Sequence, residues 1–416
     1  NNRSVADRNG RGCYDRAMFR SLPLTLFWFV YMGSVGIVLP YYSLYLKENA
    51  GLSGTELGWV LATLPLVSIV VQPFWGHVAD RTGARSRIVV LLAIGSALGY
   101  LVLAAAGGFW AILFATATIA VFGTAVLPIT ISVSLAILRD AGPHAFGFVR
   151  VWGTVGYFVL IVSFPWILES YQAARGFAPA KAGASEPGLG IMFIVTAALA
   201  AVSALVGFFL PRQGVVSIRA GRGDWRLLLG NHAYIRFLVF SFAAYLLSQG
   251  PMWLFPIFVR SRGGDIETIR NMWVYMLIVE IPLVLASGSG LQRLGARGLL
   301  GVGVVVGGLR WLLCAFINDL QLLSLVQTLH GVTVVGLLMG GPLYLDIVAP
   351  EKLRSTAQAL LSMVGVGIAG IVSNLGSGWL LDTAGVNVLY AATGIGSALL
   401  GCLVWWILPA PERAER

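Results

Sequence analysis

Long apolar runs dominate this sequence and limit what it can fold into. Twelve of them follow one another along the 416 residues, each about as long as the helix of roughly 20 residues that a bilayer requires. A backbone in hydrocarbon must satisfy its own hydrogen bonds, which leaves helices or closed barrels, and barrel strands are shorter and alternate in polarity. Only 11% of the residues are charged, against roughly 25% in soluble domains. We therefore predict an all-α membrane protein.

The positions of the runs predict how the chain is divided. One long basic connector, 211–233, separates six spans from six, so we predict two six-helix bundles at 23–210 and 234–408. Segments 1–22 and 409–416 are then polar tails, and 211–233 is a linker. The twelve predicted transmembrane helices are 23–46, 54–79, 87–107, 109–138, 145–169, 189–210, 234–259, 267–291, 298–317, 320–346, 354–381 and 387–408.

Basic residues are distributed unevenly between the two ends of these spans. With both termini placed inside, twenty of the 28 Lys and Arg fall on the inner side and six on the outer side. The positive-inside rule then predicts that both termini and the linker are cytoplasmic, most simply in the inner membrane of a bacterium. The same rule accounts for the net charge of +10 without a nucleic-acid partner. We expect a monomer in the lipid bilayer.

One short stretch occurs twice, between the second and third predicted spans and again about two hundred residues later. The matching positions are Gly76, Asp80, Arg81, Gly83 and Arg85 in the first copy, and Gly288, Gln292, Arg293, Gly295 and Arg297 in the second. A repeat of half the chain in a membrane protein indicates two packed halves with a site between them.

The repeated stretch is predicted to act as a conformational latch. Gly76 would allow close helix contact, while Asp80 would cap a neighbouring helix or pair with Arg81 or Arg85. Such contacts on the cytoplasmic face would hold the halves together while the other side is open. The alternative is a solvated, positively charged loop.

The pattern Gly-x-x-x-Asp-Arg-x-Gly-x-Arg at 76–85 resembles the signature loop of the major facilitator superfamily, and its echo at 288–297 is typical there. Residues 146–157 resemble the matching segment of lactose permease and of nucleoside–proton symporters. Residues 327–331 resemble the histidine segment of lactose permease and of phenylpropionate-type permeases, and 41–57 fits the first hairpin of that branch. The resemblance implies a proton symporter that works by alternating access.

Four ionisable residues lie inside predicted spans: Arg150, Glu280, Arg310 and His330. A charge in hydrocarbon costs about 2.5–3.5 kcal/mol or more, so such residues normally share a polar cavity. We assign proton coupling to Glu280 as carrier, His330 as relay and Arg310 as switching partner, and solute binding to Arg150, whose counterpart in lactose permease contacts sugar. The alternatives are a permanent ion pair at Glu280 and a merely hydrogen-bonded histidine.

Polar and aromatic residues in apolar surroundings are further candidates for the cavity, although each also fits packing or interface anchoring. They are Tyr31, Tyr42, Gln72, Trp152, Tyr157, Gln249, Trp253 and Asn374. The sequence departs from lactose permease at Thr333, which stands where that permease has a carboxylate, and around Thr130, where its acid is missing. Recognition of a sugar in that manner is therefore not expected.

These features predict a secondary transporter that imports a small organic solute with protons. A proton-driven exporter of drugs or metabolites is the alternative. No nucleophile and base, metal spacing or phosphate loop is present, so we expect neither an enzyme nor a metal or cofactor, and the proton gradient is the driving force. The substrate itself is not named by the sequence.

Overall fold

The computed structural model is almost entirely helical and describes residues 3–139, 145–177, 185–211 and 225–410. Within those residues, ten helices are long and apolar enough to cross a membrane, and a pair bent by 51° supplies an eleventh span. Ile191–Gly207, an apolar helix of 17 residues, occupies the position of the predicted span 189–210. The predicted all-α membrane architecture is confirmed, with a shorter sixth segment than expected.

We number the helices in chain order. They are α1 Leu22–Glu48, α2 Gly54–Thr82, α3 Arg85–Ala105, α4 Gly108–Ile137, α5 Ala145–Arg175, α6 Ile191–Gly207, α7 His232–Trp253 continued by Phe255–Ser261, α8 Ile266–Ala286, α9 Gln292–Phe316, α10 Leu320–Val348, α11 Glu351–Thr383 and α12 Gly385–Cys402. Most of the predicted linker 211–233 and the end of the predicted tail 409–416 lie outside the described residues.

Short polar residues set the points at which several of these helices begin. Asn231, Asp265 and Asp319 each accept a hydrogen bond from the backbone N–H three residues further on, which satisfies a donor that the helix itself cannot pair. Burial raises the pKa of the Asp265 carboxyl, but hydrogen bonds from Thr268 lower it by more than burial raises it. The pKa of Asp265 therefore lies below its ordinary value.

The chain divides into two compact units. The first contains 1–41, 67–178 and 188–218, and the second contains 42–66, 179–187 and 219–416. Each has its own apolar core; Phe27 and Val126 are central in the first, and Phe237 and Tyr344 in the second. The segment 42–66, here called the hairpin, comprises the end of α1, the loop and the start of α2. The hairpin therefore packs with helices from the end of the chain.

Two helices of the second unit contain π-helical turns, Val335–Gly340 in α10 and Ser362–Ile368 in α11. Such turns are rare and are frequently found at functional sites. Both contribute to the wall or the surroundings of the cavity described next.

Candidate functional site

Arg310, on α9, is the most deeply buried charge among the described residues, with 1% of its surface exposed. Its Nε donates a hydrogen bond to Gln327 Oε1 at 2.9 Å. Its Nη1 lies 3.2 Å from His330 Nδ1. The guanidinium group also stacks on the Trp311 ring at 4.1 Å, and a cation over an aromatic face is attracted by the ring quadrupole. Arg310 is therefore held in one orientation by groups on α9 and α10.

His330 connects Arg310 to Glu280. Its Nε2 atom lies 3.9 Å from Glu280 Oε2. Because Nδ1 accepts from the guanidinium group, the proton of a neutral imidazole is on Nε2 and faces the carboxylate. The three residues predicted to couple protons therefore lie in one chain of contacts, carboxylate to imidazole to guanidinium, supplied by α8, α10 and α9.

A glycine on α10 brings the carboxylate within reach of the histidine. A Cβ atom built on Gly331 would lie 3.0 Å from Glu280 Cα and 2.9 Å from Leu283 Cδ1. Both distances are tighter than ordinary van der Waals contact. Only a residue without a side chain lets α10 approach α8 this closely, directly beside His330.

A cavity of about 160 Å³ opens against Arg310 and His330. Its polar wall includes Tyr245, Gln249 and Thr333. The Thr333 hydroxyl is buried and has no hydrogen-bond partner among the described residues. The remainder of the wall is mainly aliphatic and aromatic; its other residues are Ala244, Ser248, Met252, Val304, Gly307, Trp311, Val334, Leu337, Leu338 and Ser397. A mostly apolar cavity with a few directed polar groups is the usual form of a small-molecule site.

Of the predicted solute contacts in the second unit, Gln249 lines this cavity. Its Nε2 donates to Gly365 O at 2.9 Å, within the π-helical turn of α11. Asn374 does not line the cavity: it is 2% exposed and donates to Leu61 O, which joins α11 to α2. Trp253 is half-buried at the bend of α7 and Tyr42 is buried in the hairpin, and neither lines the cavity.

The remaining predicted solute contacts lie in the first unit. Arg150 is exposed, and its guanidinium carbon lies 5.9 Å from the centre of the Trp28 ring. Trp152 is exposed, whereas Tyr157 is buried. Tyr31 is buried and donates to Gly123 O at 3.1 Å. Gln72, on an exposed position of α2, donates to Thr124 O at 3.0 Å. Tyr31 and Gln72 therefore join helices of the first unit.

The two copies of the repeated stretch share a backbone feature. Gly83 and Gly295 have φ angles of 63° and 67°, in the left-handed region that favours glycine. Asp80 pairs with Arg85 at 2.6 Å, one of the two pairings predicted, although its side chain is 64% exposed. The close helix contact predicted at Gly76 is wrong for this structure, because a Cβ atom built there meets no described atom within 4 Å.

Of the other polar residues in the two copies, Arg81, Gln292 and Arg293 are exposed and Arg297 is partly buried. Arg297 donates to Leu408 O at 3.0 Å, and its guanidinium carbon lies 5.8 Å from the centre of the Trp405 ring. It therefore anchors the start of α9 to the end of the chain.

Sequence reasoning missed an ionic cluster around the hairpin. Arg260, on α7, contacts Glu48 Oε1 through Nε at 2.9 Å and Glu186 Oε1 through Nη2 at 3.1 Å. All three side chains are largely buried. Their positions at the ends of apolar runs make them look like solvated loop charges, so the sequence carries no signal of the cluster.

A second missed contact joins the hairpin to α11. The Asp382 carboxylate accepts hydrogen bonds from Gly54 N at 2.6 Å, Thr55 N at 2.7 Å and Thr55 Oγ1 at 2.8 Å. A carboxylate at this position satisfies free N–H groups and faces the positive end of the helix dipole. The start of α2 is therefore tied to the end of α11.

Metal ligands are not clustered in the described part of the chain, where no group of three or more His, Cys, Asp or Glu is arranged to hold an ion.

Comparison with known proteins gives consistent results along almost the whole chain. The model of the MFS_1 like family matches residues 21–392. The maltose permease of Geobacillus stearothermophilus is 26% identical over 399 residues, which cover 95% of this chain and 96% of that protein. The putative nucleoside transporter YegT of Escherichia coli strain K12 is 26% identical over 345 residues, covering 78% and 76%. A crystal structure of nucleoside transporter NupG has a TM-score of 0.78 at 19% identity and covers 93% of this chain and 98% of that chain.

Proposed function

Since the chain belongs to the MFS_1 like family and is a transporter of the major facilitator type, we propose that it imports a small organic solute together with protons. Transport is by alternating access, and the proton gradient drives it without a cofactor. The protein acts as a monomer in the cytoplasmic membrane of a bacterium, with both termini in the cytoplasm, as the distribution of Lys and Arg favours.

The contact chain from Glu280 through His330 to Arg310 is the observation that carries this proposal. Holding ionisable groups within an apolar helix bundle is costly, and a purely structural role would be served as well by apolar packing. The imidazole lies between an acid that can take a proton and a permanent cation on the cavity wall. A proton gained or lost at Glu280 therefore changes the charge beside the cavity.

The transport cycle follows from this arrangement. Glu280 takes a proton from the outer side, and the solute enters the cavity at Arg310 and His330. The helices then rearrange so that the site opens inward, and the solute leaves before the proton. Each ligand drives the change only to the extent that it binds one state better than the other.

The hairpin contacts supply part of the energy difference between the states. Asp382 holds the hairpin against α11, and Arg260 holds it against α7. These contacts lie at the ends of the spans that the distribution of Lys and Arg assigns to the outer side. Opening that side would require these contacts to separate. The arginine-rich stretch at 76–85 and its repeat at 288–297 are proposed to act in the opposite state as the cytoplasmic latch.

The test is a comparison of two carboxylate variants in proteoliposomes. In E280Q, solute uptake driven by an inward proton gradient should be lost, while exchange of labelled for unlabelled solute continues. The matched control is E267Q on the same helix, because Glu267 is half-exposed and pairs with Arg270 at i,i+3. E267Q should retain proton-driven uptake.

Two results would contradict the proposal. Undiminished uphill uptake by E280Q would exclude Glu280 as the proton carrier. If solute accumulates in the proteoliposomes only when the proton gradient is directed outward, the protein is the alternative, a proton-driven exporter.

A further inference from the structure

The hydrogen-bond donors of Arg310 are unequally satisfied. No carboxylate lies within 4 Å of its guanidinium group among the described residues. Nε and Nη1 meet Gln327 and His330, but within the described part of the chain the acceptors at Nη2 are two sulfur atoms, Met276 Sδ at 3.6 Å and Met252 Sδ at 3.9 Å. A thioether sulfur is a weak acceptor. The strongest donor group on the cavity wall therefore has an unfilled preference for a strong acceptor.

The nearest carboxylate, Glu280, reaches Arg310 only through the imidazole of His330. While Glu280 is ionised, its charge offsets that of the guanidinium group across the ring. Once Glu280 is protonated, the group of three carries one net positive charge in a poorly hydrated place. The other titratable groups beside Arg310 in the described residues are Cys314, whose sulfur accepts from Gln327 Nε2, and Tyr390, whose hydroxyl donates to Pro251 O.

The size and lining of the cavity limit the rest of the ligand. A volume of about 160 Å³ is close to the roughly 150 Å³ of an engineered cavity that holds benzene. Apart from Arg310 and His330, its wall is mainly apolar, and the polar exceptions are Tyr245, Ser248, Gln249, Thr333 and Ser397. An apolar group of about one six-membered ring therefore fits next to the cation.

We infer that the solute is a small monocarboxylate with a flat apolar body, whose carboxylate binds Arg310 while a proton resides on Glu280. The planar fork of an arginine matches the geometry of a carboxylate, which would replace the sulfur contacts at Nη2. The anion and the proton cancel in charge, so each transport event moves no net charge. The inference names the substrate class of the proposed symporter and rests on that function.

The test uses benzoate and its neutral isostere benzamide as probes of the purified full-length protein at constant ionic strength. Benzoate should bind at least about tenfold more tightly than benzamide, since hydrogen bonds to charged groups contribute about 1.5–3 kcal/mol. In weakly buffered solution with a pH indicator, binding of benzoate should take up about one proton per site.

Three variants assign the effect to residues. E280Q should bind benzoate without proton uptake, whereas R310Q should lose the preference for benzoate over benzamide. R310K keeps the charge but not the planar fork, so its preference should be intermediate. If R310Q does not fold, the preference measured for R310K tests the role of Arg310, and the comparison of wild type with E280Q tests the role of Glu280.

Equal binding of the two probes by the wild-type protein, or no binding of benzoate, would overturn the inference. Proton-driven uptake of neutral solutes such as maltose or uridine would overturn it as well, while leaving the proposed symport intact. Tight binding of benzoate with proton uptake, but no gradient-driven accumulation in proteoliposomes, would support the assigned substrate class and contradict the symport.

Discussion

Replacing Asp382 by alanine should loosen the first turn of α2 while leaving the rest of that helix unchanged. The carboxylate accepts three hydrogen bonds from Gly54 and Thr55, at 2.6, 2.7 and 2.8 Å. The variant D382A leaves the two backbone N–H groups without this acceptor, at the end of the helix where an anion is favoured.

The expected magnitude follows from the number and kind of contacts. Loss of a helix cap costs about 0.5–2 kcal/mol, and loss of an anion at the helix N-terminus about 0.3–1 kcal/mol. The two ranges add to about 0.8–3 kcal/mol, and because Asp382 is exposed we expect the lower part, about 0.8–2 kcal/mol. That is a change of about 4- to 30-fold in the opening equilibrium of the turn.

Hydrogen exchange read at residues 54 and 55 measures this equilibrium directly. The matched control is D319A, because Asp319 caps α10 in the same manner by accepting from Leu322 N at 2.7 Å. D319A should speed exchange at the start of α10 and leave residues 54 and 55 unchanged. Unaltered exchange at 54 and 55 in D382A would refute the reasoning that Asp382 holds the hairpin.

Three further predictions concern stability, pH and coupling. R260Q leaves two largely buried carboxylates without their cation and should lower the free energy of unfolding by about 3–5 kcal/mol, whereas E267Q, which removes the half-exposed acid of an i,i+3 pair, should cost no more than about 0.5 kcal/mol; both are read from thermal unfolding. D265A should lose about 1 kcal/mol at neutral pH. Because the folded-state pKa of Asp265 is depressed, its contribution is present above the unfolded-state value of about 3.9 and is lost as the pH falls through the folded-state value. G331A should separate α10 from α8 and reduce proton-driven uptake, whereas G376A on α11 should be tolerated because space is open there.

The contrary outcomes are equally specific. Equal loss of stability in R260Q and E267Q would mean that the buried cluster contributes no more than a half-exposed pair. A stability difference between D265A and the wild-type protein that persists at the lowest pH would exclude ionisation as its source. Full activity of G331A would show that the spacing of α8 and α10 does not set the coupling.

The sequence predicted the helices and the central contact chain for one physical reason. An ionisable side chain within an apolar run is costly, so Glu280, Arg310 and His330 are conspicuous in the sequence, and each needs a partner in the fold. Their partners in the structure are one another and Gln327.

Polarity within an apolar run does not by itself reveal the partner of a side chain. Asn374 and Tyr31 stand out in their apolar runs, but each donates to a backbone carbonyl of a neighbouring helix. Arg260 and Asp382 were overlooked because they lie at the ends of runs, where charges are ordinarily solvated. Only the packing of the hairpin in the second unit brings their partners to them.

The π-helical turns also determine how this chain tolerates changes in length. A π turn in an α-helix accommodates one additional residue, and each residue advances an α-helix by about 100°. Deleting one residue from 335–340 in α10 would therefore restore a regular helix and leave the residues that follow close to their present orientation. Deleting one residue from a regular turn of the same helix would instead rotate everything that follows by about 100°. Side chains such as Tyr344 and Leu345, now completely enclosed, would then leave the core, so the same change in length is tolerated at one place in the helix and not at another.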